Sequence, residues 1–225
     1  MNDSVLVVAA HPDDEVLGCG GTIARLANEG RRVHVLLLAD GETSRGASAD
    51  ASRIDRRHAA AEASAAILGV SSLEHLWLPD NRLDSLDLLD IVQKVESAVL
   101  RHQAATVFTH HSGDVNIDHR VVHDAVIAAT RPQPGCPVRE LLFFEVASSS
   151  EWRPPSSAAP FVPNWFVDVS STLASKMLAL EAYAAELRAY PHPRSLRAVE
   201  ALASWRGATV GVAAAEAFIL GRRIQ

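Results

Sequence analysis

Ser4-Val5-Leu6-Val7-Val8-Ala9-Ala10-His11-Pro12-Asp13-Asp14-Glu15-Val16-Leu17-Gly18-Cys19-Gly20-Gly21-Thr22-Ile23-Ala24-Arg25-Leu26 is the stretch on which the reading of this chain turns. Ser4 to Val8 is apolar and β-branched, the composition of a parallel strand buried on both faces. Val16 to Leu26 reads as a Gly-rich turn leading into a helix. His11, Asp13, Asp14 and Glu15 therefore sit where a strand ends and a helix begins, the crevice in which open α/β sheets bind ligands. One imidazole and three carboxylates crowded there need an offsetting charge, and a divalent cation is the simplest one.

Outward from that stretch, apolar runs alternate with helical patterns. Strands are expected at 33–39, 73–78, 105–110 and 141–145, and helices at 50–68, 85–101 and 118–130, stopped by Gly69 and by Arg131-Pro132 where those follow. Residues 148–163, rich in Pro and Ser, read as a long surface loop in the position of a lid. A last strand is expected at 165–169, then a long amphipathic helix over 170–189 capped by Ser170 or Ser171. One or two closing helices follow Tyr190-Pro191-His192-Pro193-Arg194-Ser195. No repeat or linker divides the chain, so residues 1–225 are expected to form one domain. Its class is α/β: βαβ units in a Rossmann-like three-layer α/β/α sandwich with a mostly parallel sheet.

The bulk properties agree. The 225 residues are 48% hydrophobic and 21% charged, enough to bury a core, and the net charge of −6 argues against nucleic acid or an anionic membrane surface as partner. Two cysteines make no disulfide framework, and Cys19 between glycines reads as a small buried thiol. No apolar run reaches membrane-spanning length, and a strand entered by Ser4 leaves no room for a signal peptide. The expected location is the cytoplasm.

His11 and Asp14, three apart across the strand-to-helix turn, converge on one point. Pro12 fixes φ where the helix begins. Asp13 leaves at another angle, toward a water on the cation. A catalytic zinc needs about three N/O ligands and an open position. A further ligand is expected from the end of the fourth strand, where His110, His111, Asp114, Asp118, His119 and His123 crowd together. Taken alone, Asp13 or Asp14 reads as a helix cap and the His-rich loop as exposed polar surface. Placed on two strand ends of one sheet edge, they point to a metal site. His34, His58, His75 and His102 fall on strand or helix faces and read as structural.

Ala10-His11-Pro12-Asp13-Asp14-Glu15, Gly20-Gly21-Thr22, Asp40-Gly41-Glu42, Leu78-Pro79-Asp80 and the pair Asp118-His119 resemble the PIG-L/LmbE-like zinc N-deacetylase family, and the resemblance runs over nearly the whole chain. By position, it implies His11, Asp14 and His119 as zinc ligands and Asp13 as general base. Many members carry a histidine, which polarises the substrate carbonyl, where this chain has Asn116. An amide donates a hydrogen bond but cannot become cationic, so His192, His111 and His110 are candidates for that role beside Asn116. In diacetylchitobiose deacetylases of the family a C-terminal histidine from a neighbouring subunit serves the site. His192, held extended between prolines, resembles it, and a homo-oligomer, trimer or hexamer, is implied. Asp118 would orient a neighbouring imidazole. Arg56 or Arg57, Asp80, His111 and Glu151 are candidate substrate contacts, with specificity assigned to 43–49 and 148–163.

The expected activity is a Zn2+-dependent (or other divalent metal) hydrolase that frees acetate and an amine from a small N-acetylated amino sugar or its conjugate. Two alternatives stand beside it: an amidase of another small N-acyl or thiol-conjugate substrate, and a degenerate metal-binding member, which Asn116 favours. A nucleotide-binding protein is disfavoured, because Gly18-Cys19-Gly20-Gly21 lacks the dinucleotide spacing and three carboxylates would repel a pyrophosphate.

Overall fold

The computed structural model describes residues 4–45 and 51–225. Its elements run β1 (Ser4–Ala9), α1 (Asp14–Asn28), β2 (Arg32–Ala39), α2 (Ala51–Leu68), β3 (Ser72–Leu78), α3 (Leu88–His102), β4 (Thr106–His110), α4 (Ile117–Ala129), β5 (Glu140–Phe144), β6 (Trp165–Asp168), α5 (Leu173–Ala182), α6 (Leu196–Ala208) and β7 (Ala215–Arg223). The strands form one sheet in the order β3-β2-β1-β4-β5-β7-β6, and β7 alone runs against the others.

Successive residues of a strand face opposite sides of a sheet, so apolar runs in central strands serve two cores at once. Val5, Val7, Val33, Val35 and Leu37 pack under α1 and α5 with Ile23, Leu180 and Tyr183. Leu6, Val8, Leu36 and Leu38 pack under α3 and α4 with Ile91, Val95, Val122 and Val126. The result is a three-layer α/β/α sandwich with a mostly parallel sheet, as expected. The winding reverses between β1 and β4, and at such a switch point the loops after both strands diverge and leave a crevice. His11 follows β1 and His110 ends β4, so both motif regions open into it.

Four local expectations are corrected. First, the Gly-rich segment is helix, not turn. Gly18 and Gly21 lie inside α1 because that helix is pressed onto its neighbours: a Cβ at Gly18 would stand 2.4 Å from the Phe144 ring and one at Gly21 2.9 Å from Val169. α1 is nevertheless kinked at Cys19, whose φ of −148° is non-helical. Three of the backbone groups freed there find side-chain partners. The Gly21 and Thr22 amides donate to Glu216 at 2.9 and 2.6 Å, Lys176 Nζ donates to the Leu17 carbonyl at 2.9 Å, and Lys176 and Glu216 pair at 2.6 Å. Neither charge was singled out by sequence reading, since lone charges in Ala-rich segments carry no spacing signal.

Second, Pro12 is not the first helical residue. Asp13 occupies the cap position and the helix begins at Asp14. Third, the helix expected over 170–189 is α5, capped at Thr172 and ending at Ala182. It stops because Tyr183 and Glu186 turn inward, Tyr183 Oη donating to Glu15 at 2.7 Å and Glu186 pairing with Arg57. Fourth, the chain closes on one helix and then β7. Ala215-Glu216-Ala217 lacks β-branched residues, which hid the strand.

Among the described residues no helix is long and apolar enough to cross a membrane. Residues 46–49 of the expected specificity segment lie outside the described residues.

Candidate metal centre and active site

The turn after β1 is closed by Asp14 itself. The His11 amide donates to Asp14 Oδ2 at 2.9 Å and the Asp14 amide donates to the His11 carbonyl at 3.3 Å. This reciprocal clasp folds the His11 ring back over Asp14, whose Oδ2 lies 3.1 Å from His11 Nδ1. From the first turn of α4, His119 brings its Nε2 to 3.2 Å from the same oxygen. All three residues are buried. Two imidazoles from two strand ends thus meet at one carboxylate oxygen, as the i,i+3 spacing and the sheet topology require.

Behind each imidazole stands a carboxylate. His11 Nε2 donates to Asp118 Oδ2 at 3.1 Å, with Asp80 Oδ1 also at 3.1 Å. His119 Nδ1 lies 3.1 Å from Asp114 Oδ2. A carboxylate only accepts, so each outer ring nitrogen carries the proton and each inner one, Nδ1 of His11 and Nε2 of His119, turns toward Asp14. These carboxylates are themselves anchored. Asp118 accepts from the Asn81 and Leu83 amides at 2.8 and 3.0 Å, and Asp114 accepts from the hydroxyls of Ser149 and Ser150. Ligand atoms of His11, Asp14 and His119 lie within 4.8 Å of one another, as do those of His11, Asp80 and Asp118. In the second set the carboxylates are already satisfied by backbone amides and hydroxyls; in the first, His119 Nε2 and Asp14 Oδ1 are buried without a hydrogen-bond partner. The first set therefore fits a cation, and the second is its support.

The electrostatics express the same demand. Burial disfavours charge on His119, but Asp14 and Asp114 outweigh it and hold its pKa up to about 9. Burial likewise works against His11, and Asp118, Asp14 and Asp80 push its pKa well above 6.5. Burial would raise Asp14, yet His119, His11 and His110 hold it well below the usual carboxylate range. A site that draws protons onto two imidazoles around one carboxylate is a site with the field for a cation.

Asp13 stands apart. Its backbone has φ +108°, a left-handed conformation that costs a non-glycine residue about 1–3 kcal/mol. Its Oδ2 receives Arg194 Nη1 at 3.0 Å and lies 3.5 Å from Arg57 Nη2, whereas Oδ1 is buried without a partner. Burial raises its pKa, Arg194 and Arg57 pull it down, Asp14 and Glu186 push it up, and the net direction is upward. Glu15 supports it from below, accepting from the Asp13 amide at 3.0 Å and from Tyr183 Oη at 2.7 Å.

The remaining candidates are spread around this centre. Asn116 caps α4, its Oδ1 accepting from the Asp118 amide at 2.8 Å. Asp80 is buried against His11 and bonded to Ser44. His110 Nε2 accepts from the Ala10 amide at 2.8 Å, and its ring stacks on His119. His111 donates Nε2–H to the Ala159 carbonyl at 3.0 Å and so tethers the long loop. Glu151 accepts from the Ser148 and Ser149 amides, shaping the turn beside Asp114. Arg56 is exposed on α2 and donates to Ser52. His192 lies edge-on to Trp152, ring centroids 5.7 Å apart, and its Nδ1 accepts from the Arg194 amide at 3.1 Å, which places the neutral ring's proton on Nε2. In the sequence Asp114 is one acid among several in the His-rich loop, and only the fold sets it behind His119. Arg194 carries no signal in the sequence beyond its place beside His192.

Comparison with known proteins gives a consistent picture. Residues 6–130 match the model of the family PIG-L, described as GlcNAc-PI de-N-acetylase. The chain is 29% identical over 181 residues, 78% of its length and 86% of the relative's, to a protein of Escherichia coli (strain K12) described as the uncharacterized deacetylase YaiS. Among solved structures, the conserved protein TT1542 from Thermus thermophilus superposes with a TM-score of 0.79 at 28% identity, covering 100% of this chain and 97% of the other. GalB from Pseudomonas putida KT2440, a 4-carboxy-2-hydroxymuconate hydratase, superposes with a TM-score of 0.80 at 23% identity over 99% and 98% of the two chains, a likeness of fold alone.

Proposed function

Because this chain belongs to the PIG-L family, a family of deacetylases, we propose that it is a metal-dependent N-deacetylase, with zinc as its metal, that hydrolyses the acetamide of a small N-acetylated amino sugar or its conjugate to acetate and free amine. The observation that carries this reading is the pair of inner imidazole nitrogens of His11 and His119, 3.1 and 3.2 Å from one oxygen of Asp14, with an unpartnered oxygen on the adjacent Asp13. Two imidazoles and one carboxylate are a donor set that catalytic zinc takes. His11, Asp14 and His119 would hold it. Bound there, it supplies a Lewis acid that brings the pKa of a water near neutrality and polarises an amide carbonyl.

The other tasks fall to the chain's own residues. Asp13 takes the proton of the attacking water and returns it to the departing amine nitrogen. Asp118 and Asp114 keep the two imidazoles from turning. His192 through Nε2–H, or Asn116 through its amide, donates to the oxygen on which negative charge develops; loss of such a donor costs about a hundredfold or more in rate. The amino-sugar class follows the description of the family model. We further propose one domain over residues 1–225 and a cytoplasmic trimer or hexamer.

An acetate-release screen over N-acetylated amino sugars and their nucleotide and lipid conjugates, with metal analysis of the same sample, tests this. The expected result is acetate from at least one sugar, zinc in the protein, and loss of activity on chelation. An amidase of another acyl or thiol conjugate would act outside the sugar panel only. A hydratase or a non-catalytic member would release no acetate at all, and either outcome ends the proposal.

A further inference from the structure

We propose that Arg194 is a positioning residue that fixes the rotation of the Asp13 carboxylate, so that Oδ2 is held and Oδ1 is the oxygen that exchanges the proton. This rests on Asp13 acting as the base, as set out above.

The two oxygens of Asp13 have different surroundings. Oδ2 receives Arg194 Nη1 at 3.0 Å, and Oδ1 is buried with no hydrogen-bond partner. Arg57 lies farther from Oδ2, at 3.5 Å, and is occupied elsewhere: its Nη2 donates to the Pro12 carbonyl at 2.7 Å and its Nη1 faces Glu42 and Glu186. The directional grip on the carboxylate therefore comes from Arg194. A charge-assisted bond of this length confines one carboxylate oxygen and leaves the other's lone pairs free.

Arg194 is itself anchored on its far side. Its Nε donates to Ser148 Oγ at 2.7 Å and lies 3.4 Å from the Ala147 carbonyl. Ser148 sits in the left-handed region at φ +68°, and the Ser148 and Ser149 amides both donate to Glu151. From there Ser149 Oγ bonds Asp114, the carboxylate behind His119. One guanidinium thus ties the base to the loop that also braces a ligand. The planar fork serves two partners in fixed directions, which a lysine ammonium does not reproduce.

The test uses the full-length, zinc-loaded protein, with Arg194→Ala and Arg194→Lys compared with the parent on N-acetylglucosamine and any sugar identified by the screen. The expected result is a fall in kcat of about tenfold to hundredfold in Arg194→Ala. KM stays within about twofold. Metal content is unchanged, and added guanidinium ion restores part of the rate. Arg194→Lys keeps the metal and the fold and remains slow. A raised KM at unchanged kcat would make Arg194 a substrate contact, and loss of metal would make it a prop of the metal centre; each overturns the inference. Crystal structures of the parent and of Arg194→Ala give a reading independent of turnover. The Asp13 carboxylate is expected to rotate or become disordered in the variant, and an unchanged orientation overturns the inference. A parent that deacetylates nothing defeats the proposed function alone, and the Asp13 orientation then decides this point by itself.

Discussion

Two pairs of stacked histidines lie at opposite ends of the same sheet, and they behave in opposite ways. His110 and His119 stack at 4.0 Å where β4 ends, and His34 and His102 stack at 3.9 Å near the start of β2, with rings 20° apart in both pairs. His119 is flanked by Asp14 and Asp114, and its pKa is held up to about 9. His34 is held down to about 4, by burial first and then by His102 and Arg32, with only Glu74 opposing. Ring geometry does not separate a candidate metal ligand from a packed core histidine. The carboxylates aimed at the ring do, and at the upper end Asp14, Asp80, Asp114 and Asp118 all serve the imidazoles.

The largest expected effect breaks that contrast directly. His119→Ala loses the metal and, with it, deacetylase activity by at least about a thousandfold, while His102→Ala leaves metal content and rate unchanged; metal analysis and acetate release read both. A midsized effect separates roles within the upper end. Asp13→Ala keeps its metal and loses about a hundredfold to ten-thousandfold in kcat, the range for removal of a general base. A variant that turns over normally would remove Asp13 from the chemistry. The smallest effect concerns the lower end and is one of stability. The unfolded chain binds a proton at His34 near pH 6.5 and the folded chain only near pH 4, so His34 subtracts stability as pH falls through that window. His34→Leu should flatten this limb of the urea-midpoint profile, by at most about 1 kcal/mol after solvent screening, with no change in activity.

Much of this was legible in the sequence for a physical reason. Parallel strands buried on both faces read as unbroken apolar runs, so β1, β2, β4 and β5 stand out with the helices between them, while the half-buried edge strand β3 shows as a mixed segment; with them come the strand ends next to His11, Asp14 and His119. What stayed hidden depends on contacts distant along the chain. Gly18 and Gly21 signal a turn until Phe144 and Val169 are seen pressed against them. β7 has weak strand character of its own and is held by its neighbours β5 and β6. Asp80 resembled a sugar contact because an acid after a strand faces a crevice; that it lies instead on His11 depends on how β3 and β1 are spaced. Arg194 sits 181 residues from Asp13, and no local pattern reports such a pairing.

The kink in α1 bears on the proposed cation at a helix start. An unbroken run of 15 residues from Asp14 would direct the positive end of a full helix dipole at that point and oppose a cation there. The break at Cys19 divides the field. The piece next to the ligands is about one turn long and contributes little. The longer piece turns its positive end, the Gly21 and Thr22 amides, onto Glu216. The last strand of the chain thus supplies the carboxylate that draws the helix field away from the centre, with Lys176 balancing the charge.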